Sequence, residues 1–187
     1  MFTPTYPIQT ERLSLRPFTM ADVDAVYAIQ SREDVARYLY WNPRTRAEVR
    51  ETLAQRATQY RFDELNDALA MAVVRRDTGE LIGTATLNWA SREHWQGELG
   101  YVLHPDHHGH GYATEVATAL LRLGFEEIGM HRICGRCDGR NEASAKVMAR
   151  AGMRREAHLR ENEFVKGEWQ DEVIYALLAH EWPLPGR

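Results

Sequence analysis

The sequence predicts a mixed α/β fold: one domain over residues 1–187, with a central, mostly antiparallel sheet flanked by helices. Three observations point there. Stretches with strand alternation outnumber those with helical spacing. Two pairs of such stretches are joined by tight-turn sequences, Asp77-Thr78-Gly79-Glu80 and Lys166-Gly167. One segment, residues 112–126, carries a strong helical apolar stripe that needs a sheet to cover. At 187 residues, 44% apolar and 27% charged, the chain has the length and composition of an ordinary globular domain with a sizeable core.

Taken in order, residues 12–18 (RLSLRPF) alternate, with Leu13 and Leu15 on one face, and read as an opening strand. Thr19 and Asp22 then form a capping-box pattern, and Val23, Val26, Tyr27 and Gln30 follow at helical spacing. A second helix is predicted over residues 46–60. Between the helices lies Tyr38-Leu39-Tyr40-Trp41-Asn42-Pro43, an aromatic-rich loop that suits either core packing or the wall of an acceptor site. Strands at 69–75 and 81–88 form a hairpin. In the next strand, 97–104, Glu98, Gly100, Val102 and His104 share one face while Leu99, Tyr101 and Leu103 share the other, and Pro105 ends it. In the helix 112–126, Ala113, Val116, Ala117, Leu120 and Leu121 make the apolar stripe. A strand at 131–138, a helix at 142–151 and a closing hairpin, 158–164 with 169–178, complete the order. Trp169, Tyr175 and Trp182 in the closing region suit internal packing or a dimer interface, so the chain is read as a monomer or homodimer.

Composition excludes several function classes. With 23 basic and 27 acidic side chains the net charge is −4, which leaves no electrostatic footprint for nucleic acid. No apolar run is long enough to cross a bilayer, and the opening MFTPTYPIQTERL lacks a signal-peptide pattern, so a cytoplasmic location is expected. Cys134 and Cys137 have redox-motif spacing but fall in a predicted strand, where they point to opposite faces, so both are read as structural thiols. His104, His107, His108 and His110 crowd together, yet only Asp106 stands near them as a further ligand, and no metal is expected.

The chemistry is concentrated in His107-His108-Gly109-His110-Gly111-Tyr112-Ala113-Thr114-Glu115, which leaves a strand and enters a helix. Glycines let the backbone turn sharply, so that successive N–H groups point into one concavity at the positive end of the helix. Such a turn binds phosphate. It lacks the lysine and spacing of a P-loop, and Thr114 stands where a dinucleotide fingerprint needs its third glycine or alanine.

In this context the chain resembles the GNAT acetyltransferase superfamily, particularly its RimJ/RimL-like branch. The superfamily pattern Arg/Gln-x-x-Gly-x-Gly/Ala falls on His108, Gly111 and Ala113, with histidine in place of the usual first residue. Four other blocks agree in order: Thr10-Glu11-Arg12-Leu13 with Leu15-Arg16; Glu98-x-Gly100-Tyr101; Asn141-x-x-Ser144-x-x-Val147-Met148 with Gly152-Met153; and Gly167-x-Trp169-x-Asp171. The resemblance implies a splayed sheet, with Gly100 compatible with a bulge, and acetyl-CoA as cosubstrate. It implies that Val102 and Leu103 contact the pantetheine arm through their backbone. His108, Gly109, His110, Gly111, Tyr112, Ala113 and Thr114 would surround the pyrophosphate. Asn141 would bond the arm, and Ser144 would lie at the thioester, where it protonates the departing thiolate. Acyl transfer to an amine also needs a base, and Glu98 is chosen because it shares a face with Gly100 and Val102. The implied activity is N-acetylation of a primary amine, foremost a protein or peptide N-terminal α-amino group. A small-molecule amine acetyltransferase and a non-catalytic acyl-CoA sensor are the competing readings. The acceptor site is expected from the Tyr38–Asn42 loop and the 62–67 segment.

Overall fold

The computed structural model describes residues 1–182 and contains an eight-stranded sheet. The chain runs β1 (Ile8–Gln9), β2 (Leu13–Pro17), α1 (Val23–Gln30), α2 (Glu33–Ala36), α3 (Arg46–Arg56), β3 (Ala68–Arg75), β4 (Leu81–Ser91), β5 (Gln96–Leu103), α4 (Tyr112–Arg122), β6 (Arg132–Asp138), α5 (Glu142–Arg150), β7 (Arg154–Val165) and β8 (Glu168–Leu178). The strand order is β1-β2-β3-β4-β5-β6-β8-β7, and every pairing is antiparallel except β5 with β6. The predicted fold class is therefore the observed one.

Helices cover both faces because residues alternate along each strand. Ala70 and Ala72 of β3 pack with Phe18, Val23, Val26, Val49 and Leu53 beneath α1 and α3. Leu13, Leu15, Met71, Leu87, Leu99 and Leu103 point the other way, onto Val116, Leu120 and Leu121 of α4. The stripe predicted for α4 is thus core, and its leucines are fully buried. That helix does not continue evenly to residue 126. It changes to a wider π turn at Leu123–Ile128 and stops at Gly129 in the left-handed conformation, φ 79°.

Local signals account for several ends. Asp22 accepts the Thr19 N–H at 2.8 Å while Arg16 grips its carboxylate at 2.7 and 2.8 Å, fixing the entry to α1. Thr45 and Glu48 make a reciprocal capping box on α3, which ends at Arg56, earlier than predicted. The turn between β7 and β8 places Lys166 and Gly167 at φ 53° and 84°, the geometry of a two-residue hairpin. The short elements β1 and α2 were not predicted, being too brief to show a period. β7 starts four residues before the predicted 158–164 and ends one residue after it, although most of its residues are solvated.

One difference concerns the sheet's parting. Gly100 is not a bulge: β4 and β5 stay in unbroken register from Gly83↔Leu103 to Trp89↔Gly97, and the irregularity falls between Trp89 and Ser91. A Cβ at Gly100 would sit 2.8 Å from Thr86 Oγ1, so the glycine serves a close side-chain approach instead.

The N-terminal segment is stapled to α4 through Glu115. Its carboxylate accepts Thr10 Oγ1 at 2.5 Å, the Arg12 N–H at 2.8 Å and Arg12 Nε at 2.8 Å. Burial pushes this carboxyl upward, but these donors outweigh it and hold it below the usual carboxylate range. A depressed native pKa stabilises the fold above the normal glutamate range and loses that contribution as the pH falls through the native value. Glu115→Gln should therefore cost about 1–3 kcal/mol in urea unfolding at pH 7. The deficit should shrink as the pH is taken below about 4.3, the ordinary glutamate value.

Candidate active site

The sheet opens between β5 and β6. Their parallel ladder spans only Gln96↔Arg132, Gly97↔Ile133 and Glu98↔Cys134, after which the strands separate. In an antiparallel pair, backbone groups of alternate residues face the partner. His104 N–H donates to Ile82 C=O at 2.8 Å, so by alternation Val102 is also spent on β4, and Tyr101 and Leu103 direct their backbone groups into the opening. The Leu103 carbonyl is met there by His108 Nε2 at 3.1 Å. On the α5 side the opening is packed by Leu99 and Met148. Both close on Gly135, where a Cβ would meet Met148 Sδ at 2.7 Å and Leu99 Cδ1 at 3.2 Å.

The glycine-rich turn sits at the C-terminal end of β5. Pro105–His107 makes a short 3₁₀ turn, then Gly109 and Gly111 take φ 79° and 81°, conformations that disfavour any residue with a Cβ. Gly111 is the N-cap of α4, with no side chain satisfying the helix end. The first intrahelical bond is Glu115 N–H to Gly111 C=O. The six successive N–H groups from Gly109 to Thr114 consequently have no hydrogen-bond partner among the described residues. Arg12 braces the turn, donating from Nη1 to the His110 carbonyl at 2.9 Å with its guanidinium 4.6 Å from the centre of the Tyr112 ring. An array of free amides at a helix N-terminus, with a guanidinium beside it, is a cradle that can hold an anion. The neighbouring histidines disperse: His104 accepts the Asp106 N–H, His107 lies 3.4 Å from Glu80, and His108 turns back to β5.

Asn141 caps α5, its Oδ1 accepting the Ser144 N–H at 3.1 Å, while its Nδ2 has no partner among the described residues. Ser144 faces the opening and meets Tyr101, whose hydroxyl lies 3.1 Å from Ser144 Oγ and 3.2 Å from the Ser144 carbonyl. Burial raises the Tyr101 phenol to about 12, so it remains a donor at any physiological pH. Cys137 stands beside Ser144, and burial pushes its thiol up to about 11.

Glu98 lies on the opposite face of the sheet from Ser144, as the alternation requires. Its Oε2 is 3.2 Å from Arg136 Nε, and Arg136 Nη1 is 3.6 Å from Glu172 Oε1 on β8. Glu172 is 2% exposed. Its Oε2 accepts Asn162 Nδ2 at 3.1 Å, whereas Oε1 is buried without a hydrogen bond. Burial raises its pKa, the Glu163 and Glu98 charges add to that, and Arg136 opposes it. Tyr40 borders the cluster: it is 66% exposed, and local desolvation of its hydroxyl, then the adjacent Glu163, Glu172 and Glu98 carboxylates, raise its phenol. The loop that carries Tyr40 is held against the β7–β8 turn by Lys166 Nζ, which donates to the Ala36 carbonyl at 2.6 Å. Of the two expected acceptor segments, only the Tyr38–Asn42 loop reaches this cluster by contacts seen here. The 62–67 segment is occupied structurally, with Phe62 edge-on to Trp89 and Asp63 bound by Arg61 and Asn66.

The structure therefore gathers Ser144, Asn141, Leu103 and the loop residues on one side of the parting and Glu98 on the other. Sequence reasoning missed Tyr101, Arg136, Glu163 and Glu172. Glu172 left a readable signal, an acidic residue in phase with Gln170, Ile174 and Ala176 in a strand with few exposed positions. Cys134 and Cys137 do point to opposite faces, one toward Glu98 and the other toward Ser144, and both are free thiols. A thiol at about 11 is ionised in roughly one molecule in a thousand at pH 8. Iodoacetamide should hence alkylate Cys137 of the native protein at least about 100-fold more slowly than in urea, where a cysteine near 8.5 is substantially thiolate.

Comparison with known proteins bears on the family and the fold. Residues 12–154 match the acetyltransferase (GNAT) domain family. The chain is 34% identical over 175 residues to the uncharacterized N-acetyltransferase YnaD of Bacillus subtilis, covering 94% of this chain and 98% of that one. It is 28% identical over 127 residues to the [ribosomal protein uS5]-alanine N-acetyltransferase of Escherichia coli, covering 67% and 65% of the two chains. The spermidine N-acetyltransferase of Vibrio cholerae, solved with CoA and spermine, has the same fold, with a TM-score of 0.78 at 21% identity and coverage of 92% and 98%. GNAT acetyltransferases use acetyl-CoA. With the parted strands, the amide cradle at the head of α4 and the family match over residues 12–154, this chain belongs to the GNAT acetyltransferase family.

Proposed function

We propose that this protein transfers the acetyl group of acetyl-CoA to a primary amine, foremost the α-amino group of a protein or peptide N-terminus, and that it belongs to the RimJ/RimL-like branch. The observation that carries the reading is the run of six unpartnered N–H groups, Gly109 to Thr114, at the end of a strand that has parted from its neighbour. These donors, with Arg12 beside them, suit a pyrophosphate. The edge of β5 at Tyr101 and Leu103, together with Asn141 Nδ2, suits an amide-bearing arm that needs donors and acceptors along an extended path.

In this reading Glu98 takes a proton from the acceptor ammonium. The freed nitrogen forms a C–N bond at the thioester carbonyl as the C–S bond breaks. The departing sulfur receives its proton from Ser144 Oγ; the second proton that the nitrogen gives up as the amide forms restores the serine hydroxyl through water, and Glu98 returns its own proton to solvent. The Tyr101 hydroxyl donates to the Ser144 carbonyl and lies within hydrogen-bond distance of Ser144 Oγ, which fixes the serine at the head of α5. The peptide N-terminus is favoured by the uS5-alanine relative. A small polyamine acceptor is the second reading, favoured by the acidic cluster around Tyr40, which suits any ammonium.

Calorimetry should show CoA binding that Gly111→Val nearly abolishes, since a β-branched residue at φ 81° forces the cradle open. His108→Ala should weaken CoA only modestly, because its ring bonds the Leu103 carbonyl and the cradle is made of main chain. Absence of CoA binding would remove the reading; binding without thiol release from a panel of peptide N-termini and small amines would favour an acyl-CoA sensor. Glu98→Gln should lower kcat by about 100-fold and flatten the acidic limb of the pH–rate profile.

A further inference from the structure

The cluster on the Glu98 face contains three carboxylates, Glu98, Glu163 and Glu172, and one guanidinium, Arg136. Two features are left unexplained by an ion-pair network built for stability. Glu172 Oε1 is buried with no hydrogen bond, although Arg136 Nη1 stands only 3.6 Å away, a short side-chain movement from a bonded distance. Arg136 itself is 45% exposed and lies between the two carboxylates, 3.2 Å from Glu98 and 3.6 Å from Glu172, with the Cys134 thiol beside it. Meanwhile the carboxylate of Glu98, the group assigned as the base, is occupied by that same arginine, which stands where an incoming cation would bind.

We infer that the cluster is an ammonium-exchange site: the acceptor enters as a primary alkylammonium ion between Glu98, Glu163 and the Tyr40 hydroxyl, and displaces Arg136 onto the buried Glu172. This rests on the acetyl-transfer reading and deepens it by assigning the acceptor pocket and its charge. The exchange conserves charge, since one cation leaves Glu98 as another arrives. It satisfies Glu172 Oε1, which gains a guanidinium donor. It also makes Glu98 available to the ammonium only when an acceptor is present. A neutral acceptor, or one whose nitrogen is blocked, lacks the charge to displace Arg136 and leaves the base paired. The ligand class is therefore a primary ammonium, whether of a polyamine or of a peptide N-terminus, and the two sources are separable by experiment.

The test uses full-length protein, spermidine and an alanine-initiated tetrapeptide as probes, and the N-formylated tetrapeptide as the uncharged control. Calorimetry on the CoA-loaded protein should show binding of at least one cationic probe, weakened by added NaCl, and none of the formylated peptide; which probe binds identifies the source. Glu172→Gln and Glu163→Gln should each raise KM for that probe by about tenfold, the worth of a charge-assisted contact, while leaving CoA affinity unchanged. Arg136→Met should move KM the other way, lowering it by about fivefold while kcat becomes less dependent on the acceptor's charge, because the competing cation is gone. Glu163→Gln and the CoA affinity guard against a Glu172 variant that merely misfolds. The inference is overturned if neither cationic probe binds, if the carboxamide variants leave KM unchanged, or if Arg136→Met raises KM as the glutamine variants do. Any of these with CoA binding and acetyl transfer intact would leave the acetyltransferase reading standing, whereas loss of CoA binding in the unaltered protein would remove that reading instead.

Discussion

Everything chemically distinctive in this protein depends on the brevity of one strand pairing. β5 and β6 are the one parallel pair among the described strands, and their ladder lasts for three residue pairs before the strands diverge. A parallel neighbour requires a crossover, and here the crossover is α4, whose N-terminus is thereby carried to the C-terminal end of β5. Had the ladder continued to Leu103, the backbone groups of Tyr101 and Leu103 would be consumed by β6. The opening instead leaves them facing a gap whose upper end is the amide cradle. Gly135 makes the divergence tolerable, because the absence of a Cβ there lets Leu99 and Met148 fill the wedge on the α5 side.

The same opening divides the chemistry between two faces. Toward α5 lie the Ser144 hydroxyl and, held protonated by burial, the Tyr101 phenol and the Cys137 thiol, groups that hydrogen-bond without contributing charge. Toward α1 and α3 lie carboxylates with a single arginine between them. A reaction in which a cation must lose its proton on one side and a leaving sulfur must gain one on the other fits that division. Strand alternation alone produces it: Glu98 and Tyr101 are three residues apart and necessarily point in opposite directions.

The cradle needs a rigid support, since an anion site made of main-chain amides is only as good as its fixed geometry. Glu115 provides this by holding Thr10 and Arg12, and Arg12 in turn holds the His110 carbonyl. The segment Thr10-Glu11-Arg12-Leu13, about a hundred residues distant in sequence, is in this way part of the loop's structure. On the other side, Lys166 ties the β7–β8 turn to the end of α2, which sets the Tyr40 loop over the carboxylates.

The sequence by itself determined the sheet-and-helix order, the apolar stripe of α4, both hairpin turns and the glycine cradle, because each is fixed by local periodicity or by the backbone freedom of glycine. It also placed Asn141 as a cap and set Glu98 and Ser144 on different elements. Tertiary structure alone decided what those groups meet. That Tyr101 bonds Ser144, that Arg136 pairs Glu98 while reaching toward Glu172, and that Tyr40 overhangs both are contacts between strands and loops far apart in the chain, and periodicity within one element carries no record of its neighbours. The parting itself belongs to this second kind: Gly100 looked like its local cause, yet β4 and β5 stay in register there, and the strands that separate are β5 and β6, with Leu99 and Met148 packed against Gly135 beside the gap.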